Sequence, residues 1–181
     1  MTKKEIEELV NNCEKDCKEK FLEIDKISYK NSEKVLNSFH KNEVVESHFN
    51  STTGYGYSDA GRSVIEQIFK DVLGSEDALV RSQFISGSHA LNVCFFALLR
   101  PSDMLLSISG KPYDTLEEVI GIKDNPSSLK SYGINYSQID LVDNDFDYDK
   151  IEKFLKNNKV CVIEIQRSKG YSTRSSLGIE Q

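Results

Sequence analysis

From residue 79 onward, short apolar runs alternate with helical patterns, and that alternation limits the fold more than any other feature. Residues 79–85, 104–109, 134–139 and 160–165 read as strands. Residues 87–100, 113–120 and 147–157 read as helices, the last opened by Asp147 as N-cap. Strands that alternate with helices close into a mostly parallel sheet with helices on its faces, so the chain is expected to be α/β. Residues 90–99 are apolar nearly all round, which predicts a helix covered on most sides.

The first part of the chain has a different pattern. Ile6, Val10, Cys13, Cys17, Phe21 and Ile24 recur at helical spacing, one apolar seam on a helix whose other face is Lys and Glu. Such an amphipathic arm buries its seam and can dock on a partner subunit. A second helix is expected over 30–42, with Val35, Leu36 and Phe39 inward. Between 46 and 62 the periodicity gives way to a loop rich in Gly, Tyr and small polar residues. A helix over 62–73 follows, with Val64, Ile65, Ile68, Phe69, Val72 and Leu73 inward and Gly74 as its stop. The expected organisation is a helical arm over 1–45, then the sheet-bearing domain over 46–181.

Composition narrows the function classes. The 181 residues carry a net charge of −6, which argues against a general nucleic-acid binder, since phosphate backbones need a cationic footprint. No apolar run is long enough to span a bilayer, and Met1-Thr2-Lys3-Lys4-Glu5 has no apolar signal core. A cytoplasmic protein is the plain expectation. Cys13 and Cys17 share a helix face without His or Cys partners nearby, so they read as small seam residues and not as metal ligands. Cys94 and Cys161 lie in apolar runs and are expected in the core.

Three clusters carry candidate chemistry. In the first, an apolar strand runs into Ser86-Gly87-Ser88-His89 and a helix begins. Ser86 is a natural N-cap, Gly87 lets a ligand approach the backbone, and Ser88 adds a hydroxyl. A helix N-terminus with free N–H groups attracts phosphate or another anion. Read locally, the same turn is equally an ordinary capped helix start. Ser88 and His89 invite a hydrolase reading, but neighbours at a helix start do not face each other. The second cluster is Ser109-Gly-Lys-Pro-Tyr-Asp-Thr-Leu-Glu-Glu118, where Tyr113 stands near the same crevice and could stack on a flat heterocycle. Thr115 and Glu118 form a possible capping box. The third is Gly54-Tyr-Gly-Tyr-Ser-Asp-Ala-Gly-Arg62, a mobile type of loop ending in an Arg suited to bidentate phosphate contacts, or simply an exposed surface loop.

These clusters, with Glu76-Asp-Ala-Leu-Val-Arg81, Gly110-Lys-Pro-Tyr-Asp-Thr-Leu-Glu-Glu-Val-Ile-Gly121 and Ile165-Gln-Arg-Ser-Lys-Gly-Tyr171, resemble in order and spacing the methionine gamma-lyase-like proteins of the aluminium-resistance family. That family belongs to the pyridoxal-phosphate-dependent Cys/Met metabolism enzymes of aspartate-aminotransferase fold. The resemblance implies a partial large domain of that fold and a carbon–sulfur lyase acting on a small amino-acid substrate. By the resemblance, Gly87 and Ser88, flanked by Ser86 and His89, hold the phosphate of pyridoxal 5′-phosphate, and Tyr113 stacks on its ring. It likewise implies that Tyr57 (or Tyr55) and Arg62 reach the phosphate of a neighbouring subunit's cofactor, and hence a homo-oligomer in the full-length protein.

The resemblance also implies a Schiff-base lysine and an acidic residue at the pyridine nitrogen, both downstream of Gln181. Lys111 and Lys169 match family positions other than that lysine. The chain is therefore expected to be an N-terminal fragment without a catalytic residue of its own. The alternative is a non-catalytic remnant or interaction module of the same fold. No metal or membrane partner is expected.

Overall fold

The computed structural model describes residues 1–179, which fall into two compact units, Met1–Gln83 and a second that starts at Phe84. The first unit is helical. Helix α1 runs unbroken from Lys3 to Lys41, opened by a capping box in which the Thr2 side chain accepts from the Glu5 amide and the Glu5 carboxylate accepts from the Thr2 N–H. The helix expected along the Ile6–Ile24 seam and the second expected over 30–42 are thus one. No Gly or Pro lies between Lys26 and Lys41 to interrupt the backbone ladder. The expected burial of the seam is not found. Ile6, Val10, Phe21, Ile24 and Leu36 are exposed, as are Cys13 and Cys17.

A 3₁₀ turn over Glu46–Phe49 leads to helix α2, Ala60–Leu73. Helix α2 starts two residues before the expected position, because the Asp59 side chain caps it by accepting the Arg62 amide at 3.0 Å. Gly74 ends it in the left-handed conformation, at φ 68°, where a Cβ would be penalised. Helices α1 and α2 pack together. Asp71 ties them, accepting from Lys41 Nζ at 2.5 Å, Asn42 Nδ2 at 2.8 Å and Ser38 Oγ at 3.2 Å. These donors, Lys41 foremost, hold the Asp71 carboxyl below its ordinary range. Of the residues expected inward on α2, Ile68 is buried while Leu73 is exposed.

The second unit is a three-stranded parallel sheet with helices on both faces. Its elements in order are α3 (Gly87–Leu98), β1 (Met104–Ser107), α4 (Asp114–Ile120), β2 (Asn135–Gln138), α5 (Tyr148–Asn157) and β3 (Val162–Glu164). The strand order is β2-β1-β3, with Leu106 opposite both Ser137 and Ile163. Successive strand residues face opposite sides. Leu105 therefore joins Phe95, Leu99, Leu116, Ile120, Leu129 and Ile134 on the α3/α4 side. Leu106 joins Ile108 and Ile139 on the other, against Phe146, Ile151 and Phe154.

Several expectations fail here for one reason. Residues 79–85 form no strand, because an extended run becomes a strand only beside a paired neighbour. Helix α3 buries only Phe95 among its own residues, leaving Leu91, Val93 and Leu98 exposed. Cys94 and Cys161 are exposed and not core. Cys94 lies on the open side of α3, and the Cys161 thiol donates to Asp103 Oδ1 at 3.1 Å. Apolar character alone marks what could be buried; which face meets the sheet is set by the packing.

Candidate functional site

Because β2 lies on one side of β1 and β3 on the other, the strand order reverses between β1 and β3. In open parallel sheets the crevice at the carboxyl ends of such strands is where ligands sit. Here the chain leaves β1 through residues 108–113 and β3 through residues 165–171, so both loops border that crevice.

The side chains at these strand ends are linked. Ser107 Oγ lies 2.7 Å from the Gly110 carbonyl oxygen and 2.7 Å from Glu164 Oε2. A hydroxyl has one proton, so it can donate to only one of the two. A protonated Glu164 would donate to Ser107 and leave the Ser107 proton for Gly110. Burial pushes the Glu164 carboxyl above its ordinary range, against the opposing pull of the Ser107 contact. The same burial, with Glu164 and Asp140 nearby, raises the Tyr136 hydroxyl. Farther out, the Gln166 amide donates to Ser109 Oγ at 2.8 Å, and Gln166 Oε1 accepts the Tyr113 backbone N–H at 2.6 Å. Tyr113 stacks on Tyr171, centroids 5.7 Å apart and planes 25° from parallel, and its hydroxyl donates to that of Tyr171 at 3.2 Å. That hydrogen bond raises the Tyr113 hydroxyl above its usual range. Gly170 permits the stack: a Cβ there would stand 3.1 Å from the Tyr113 ring.

A raised acid pKa stabilises the folded state only while the group is protonated. Unit stability should fall as pH rises from the unfolded glutamate value through the elevated folded one. Glu164→Gln, which keeps an amide donor for Ser107, is expected to flatten that dependence and to melt no lower than the parent at pH 8. Denaturant melts at pH 5 and pH 8 measure it, and a slope that survives the substitution would contradict the assignment.

The head of α3 stands beside this crevice. The Ser86 side chain accepts the His89 amide at 3.1 Å, as an N-cap should. The amides of Gly87 and Ser88 donate to nothing among the described residues, and the space where a Gly87 Cβ would project is open for 4 Å. Ser88 Oγ is 2.8 Å from Thr115 Oγ1. That contact joins the first turn of α3 to the first turn of α4, two residues beyond Tyr113. Thr115 lies inside α4, whose N-cap is Tyr113, so the possible Thr115/Glu118 capping box is not formed. Two free amides, two hydroxyls and an aromatic ring suit an oxyanion attached to a flat ring.

Residues 6–181 match the family model of methionine gamma-lyase. This chain belongs to the methionine gamma-lyase family. Among relatives of this family member, YnbB of Bacillus subtilis is 48% identical over 162 residues, 88% of this chain and 38% of that protein. The fold of this chain is similar to that of a candidate cystathionine beta-lyase involved in aluminium resistance from Clostridium acetobutylicum, at 38% identity and TM-score 0.91. That match covers 98% of this chain and 43% of the other. A carbon–sulfur lyase involved in aluminium resistance from Clostridium novyi NT gives 40% identity and TM-score 0.89, with the same coverage of 98% and 43%. The chain thus spans less than half the length of these relatives.

In this methionine gamma-lyase family member the structure gathers Ser86, Gly87, Ser88, His89 and Tyr113 within the second unit. His89 spends its Nδ1 on the Ile85 amide at 3.4 Å, and its ring meets Phe84 edge-on. Tyr57 and Arg62 lie in the first unit, with Tyr55 and Tyr57 exposed. Sequence reasoning passed over Ser107 and Glu164, and gave no role to Gln166 and Tyr171 although both lie in the Ile165–Tyr171 motif. Polar residues ending the apolar strands 104–109 and 160–165 were the available signal. It also gave no role to Arg81, which ends the Glu76–Arg81 motif and sits in the strand expected over 79–85. Arg81 pairs with Glu66, and Arg81 Nε is buried with no hydrogen-bond acceptor; a buried donor without a partner costs about 1–3 kcal/mol. Among the described residues no group of three or more His, Cys, Asp or Glu could hold a metal, and no helix is long and apolar enough to cross a membrane.

Proposed function

We propose that this chain is the cofactor-phosphate-binding part of a pyridoxal-phosphate-dependent carbon–sulfur lyase. The observation that carries the reading is the Ser88–Thr115 contact, which sets the two free amides at the head of α3 beside the turn that bears Tyr113. Family membership and the names of the solved relatives support it.

In this reading the Gly87 and Ser88 amides donate to the phosphate, helped by the positive end of α3. The Ser88 hydroxyl is available to the same oxygens, and His89 retains Nε2 for them. Ser86 acts indirectly, by closing the cap that turns the amides outward. Tyr113, anchored through its backbone to Gln166, stacks on the pyridine ring. Tyr57 or Tyr55, with Arg62, reaches a phosphate held by a neighbouring subunit, so the full-length protein is a homo-oligomer. When bound, the cofactor supplies the electron sink that weakens a carbon–sulfur bond of an amino-acid substrate. The lysine that holds the cofactor covalently, and the carboxylate at its ring nitrogen, belong to the part of the relatives' length that these residues do not span. Lys111, paired with Glu117 at 2.7 Å, has another role.

The test uses 4′-deoxypyridoxine 5′-phosphate, which lacks the aldehyde that reacts with any lysine. Calorimetry on the full 181-residue chain should show it binding at least about tenfold tighter than 4′-deoxypyridoxine, a difference of about 1.4 kcal/mol from the phosphate. Equal affinity, or none for either compound, sinks the reading and leaves a non-catalytic module of the same fold.

A further inference from the structure

The first unit contains a cavity of about 460 Å³ whose wall includes Arg62, Arg81, His48, Thr52, Ser82 and Gln83. The carboxylates beside it are already engaged. Asp59 accepts the Arg62 amide at 3.0 Å through Oδ1 and the Thr52 hydroxyl at 2.9 Å through Oδ2. Glu66 Oε1 accepts the Val80 amide at 3.0 Å and the ion pair from Arg81 Nη1.

The guanidinium donors are not engaged to the same extent. Arg81 is held by its Nη1 alone, which also donates to the Val80 carbonyl at 2.9 Å, while Nε is buried without an acceptor. The Arg62 guanidinium makes no hydrogen bond or ion pair among the described residues. It folds back over the loop, so that a Cβ at Gly56, where φ is 84°, would come within 2.7 Å of Arg62 Nη1. Two guanidinium groups on one cavity wall repel each other, and the Arg81 group is pulled below its ordinary range by burial and by the Arg62 charge. An oxyanion between them would turn that repulsion into attraction and give the idle N–H groups an acceptor.

We propose that Arg62 and Arg81 together form a binding site for a phosphate-class oxyanion. Arg81 supplies a second guanidinium, pre-set by Glu66. The inference deepens the reading of Arg62 given above and rests on it for the source of the phosphate, the ester carried by a neighbouring subunit's cofactor. Free phosphate presents the same chemistry, so the test includes both.

Selective ¹⁵N-arginine labelling of the full chain makes each Nε–H visible by NMR. Titration with inorganic phosphate, and separately with 4′-deoxypyridoxine 5′-phosphate, should move the Arg62 and Arg81 Nε–H signals together along one binding curve. Arg81→Lys keeps the charge opposite Glu66 but removes the Nε donor. It should weaken phosphate binding at least about tenfold with an unchanged melting temperature in phosphate-free buffer. An Arg81 signal that stays still while that of Arg62 saturates, or Arg81→Lys binding as well as the parent, would overturn the two-arginine site. The first of these is read on the unsubstituted chain and does not depend on a variant folding. Tighter binding of the ester than of inorganic phosphate assigns the cofactor as the source; equal binding assigns free phosphate, and the site stands in both cases. Inorganic-phosphate titrations repeated in Gly87→Asp separate this site from the head of α3: arginine shifts that persist there uphold the pair even if the α3 reading fails, and shifts that vanish there place the anion at α3 and overturn the pair.

Discussion

Gly87→Asp is expected to weaken binding of 4′-deoxypyridoxine 5′-phosphate at least tenfold while leaving the second unit as stable as before, or slightly more so. The two effects separate because of where Gly87 sits. It is the first residue of α3, and an added Cβ would meet nothing within 4 Å. An acidic side chain in the first turn interacts favourably with the helix dipole, by about 0.3–1 kcal/mol. The same carboxylate would stand where the phosphate is proposed to stand, repelling a dianion and competing for the Gly87 and Ser88 amides. Calorimetry gives the affinity and urea melts give the stability. Loss of both together would mean that the substitution damages the fold. Unchanged affinity would mean that the head of α3 does not hold the phosphate.

The largest stability effect is expected at the centre of the sheet. Leu105 is 0% exposed on β1, between β2 and β3, and is surrounded by Phe95, Leu116, Leu129 and Ile134. Leu105→Ala should cost about 2–5 kcal/mol, since it removes buried methyl groups and leaves a cavity that a strand paired on both sides cannot collapse. That is a large share of the roughly 5–15 kcal/mol by which a domain is stable. Leu98→Ala, at a position 63% exposed on α3, should stay within about 0.5 kcal/mol. Urea unfolding midpoints compare the two directly, and equal losses would place the core elsewhere.

Much of the local structure is legible in the sequence because it is specified locally. Ser86, Asp147 and Gly74 cap helices as their side chains or lack of one dictate, and the parallel sheet follows from the alternation of short apolar runs with helices. The head of α3 was legible for the same reason: a capping serine, a glycine and an apolar run fix a turn with free amides. The breaks between helices were less so. The 27–31 stretch has weak periodicity but nothing that stops a helix, and the ladder simply continues through it.

What the chain could not announce by itself was adjacency. Val80 and Leu79 have the composition of a strand, yet a strand exists only where a neighbour offers its N–H and C=O groups, and among the described residues none does. Nothing in the spacing of Thr115 predicts that its hydroxyl meets Ser88. Nothing near Glu164 predicts that Ser107 will face it across paired strands, or that burial will raise its carboxyl above the ordinary range. Residue order thus determined the caps, the turns and the apolar faces, because these depend on interactions within a few residues. Only the tertiary structure decided which ends meet and which polar groups lose their water, because hydrogen bonding and burial depend on whatever the fold brings alongside.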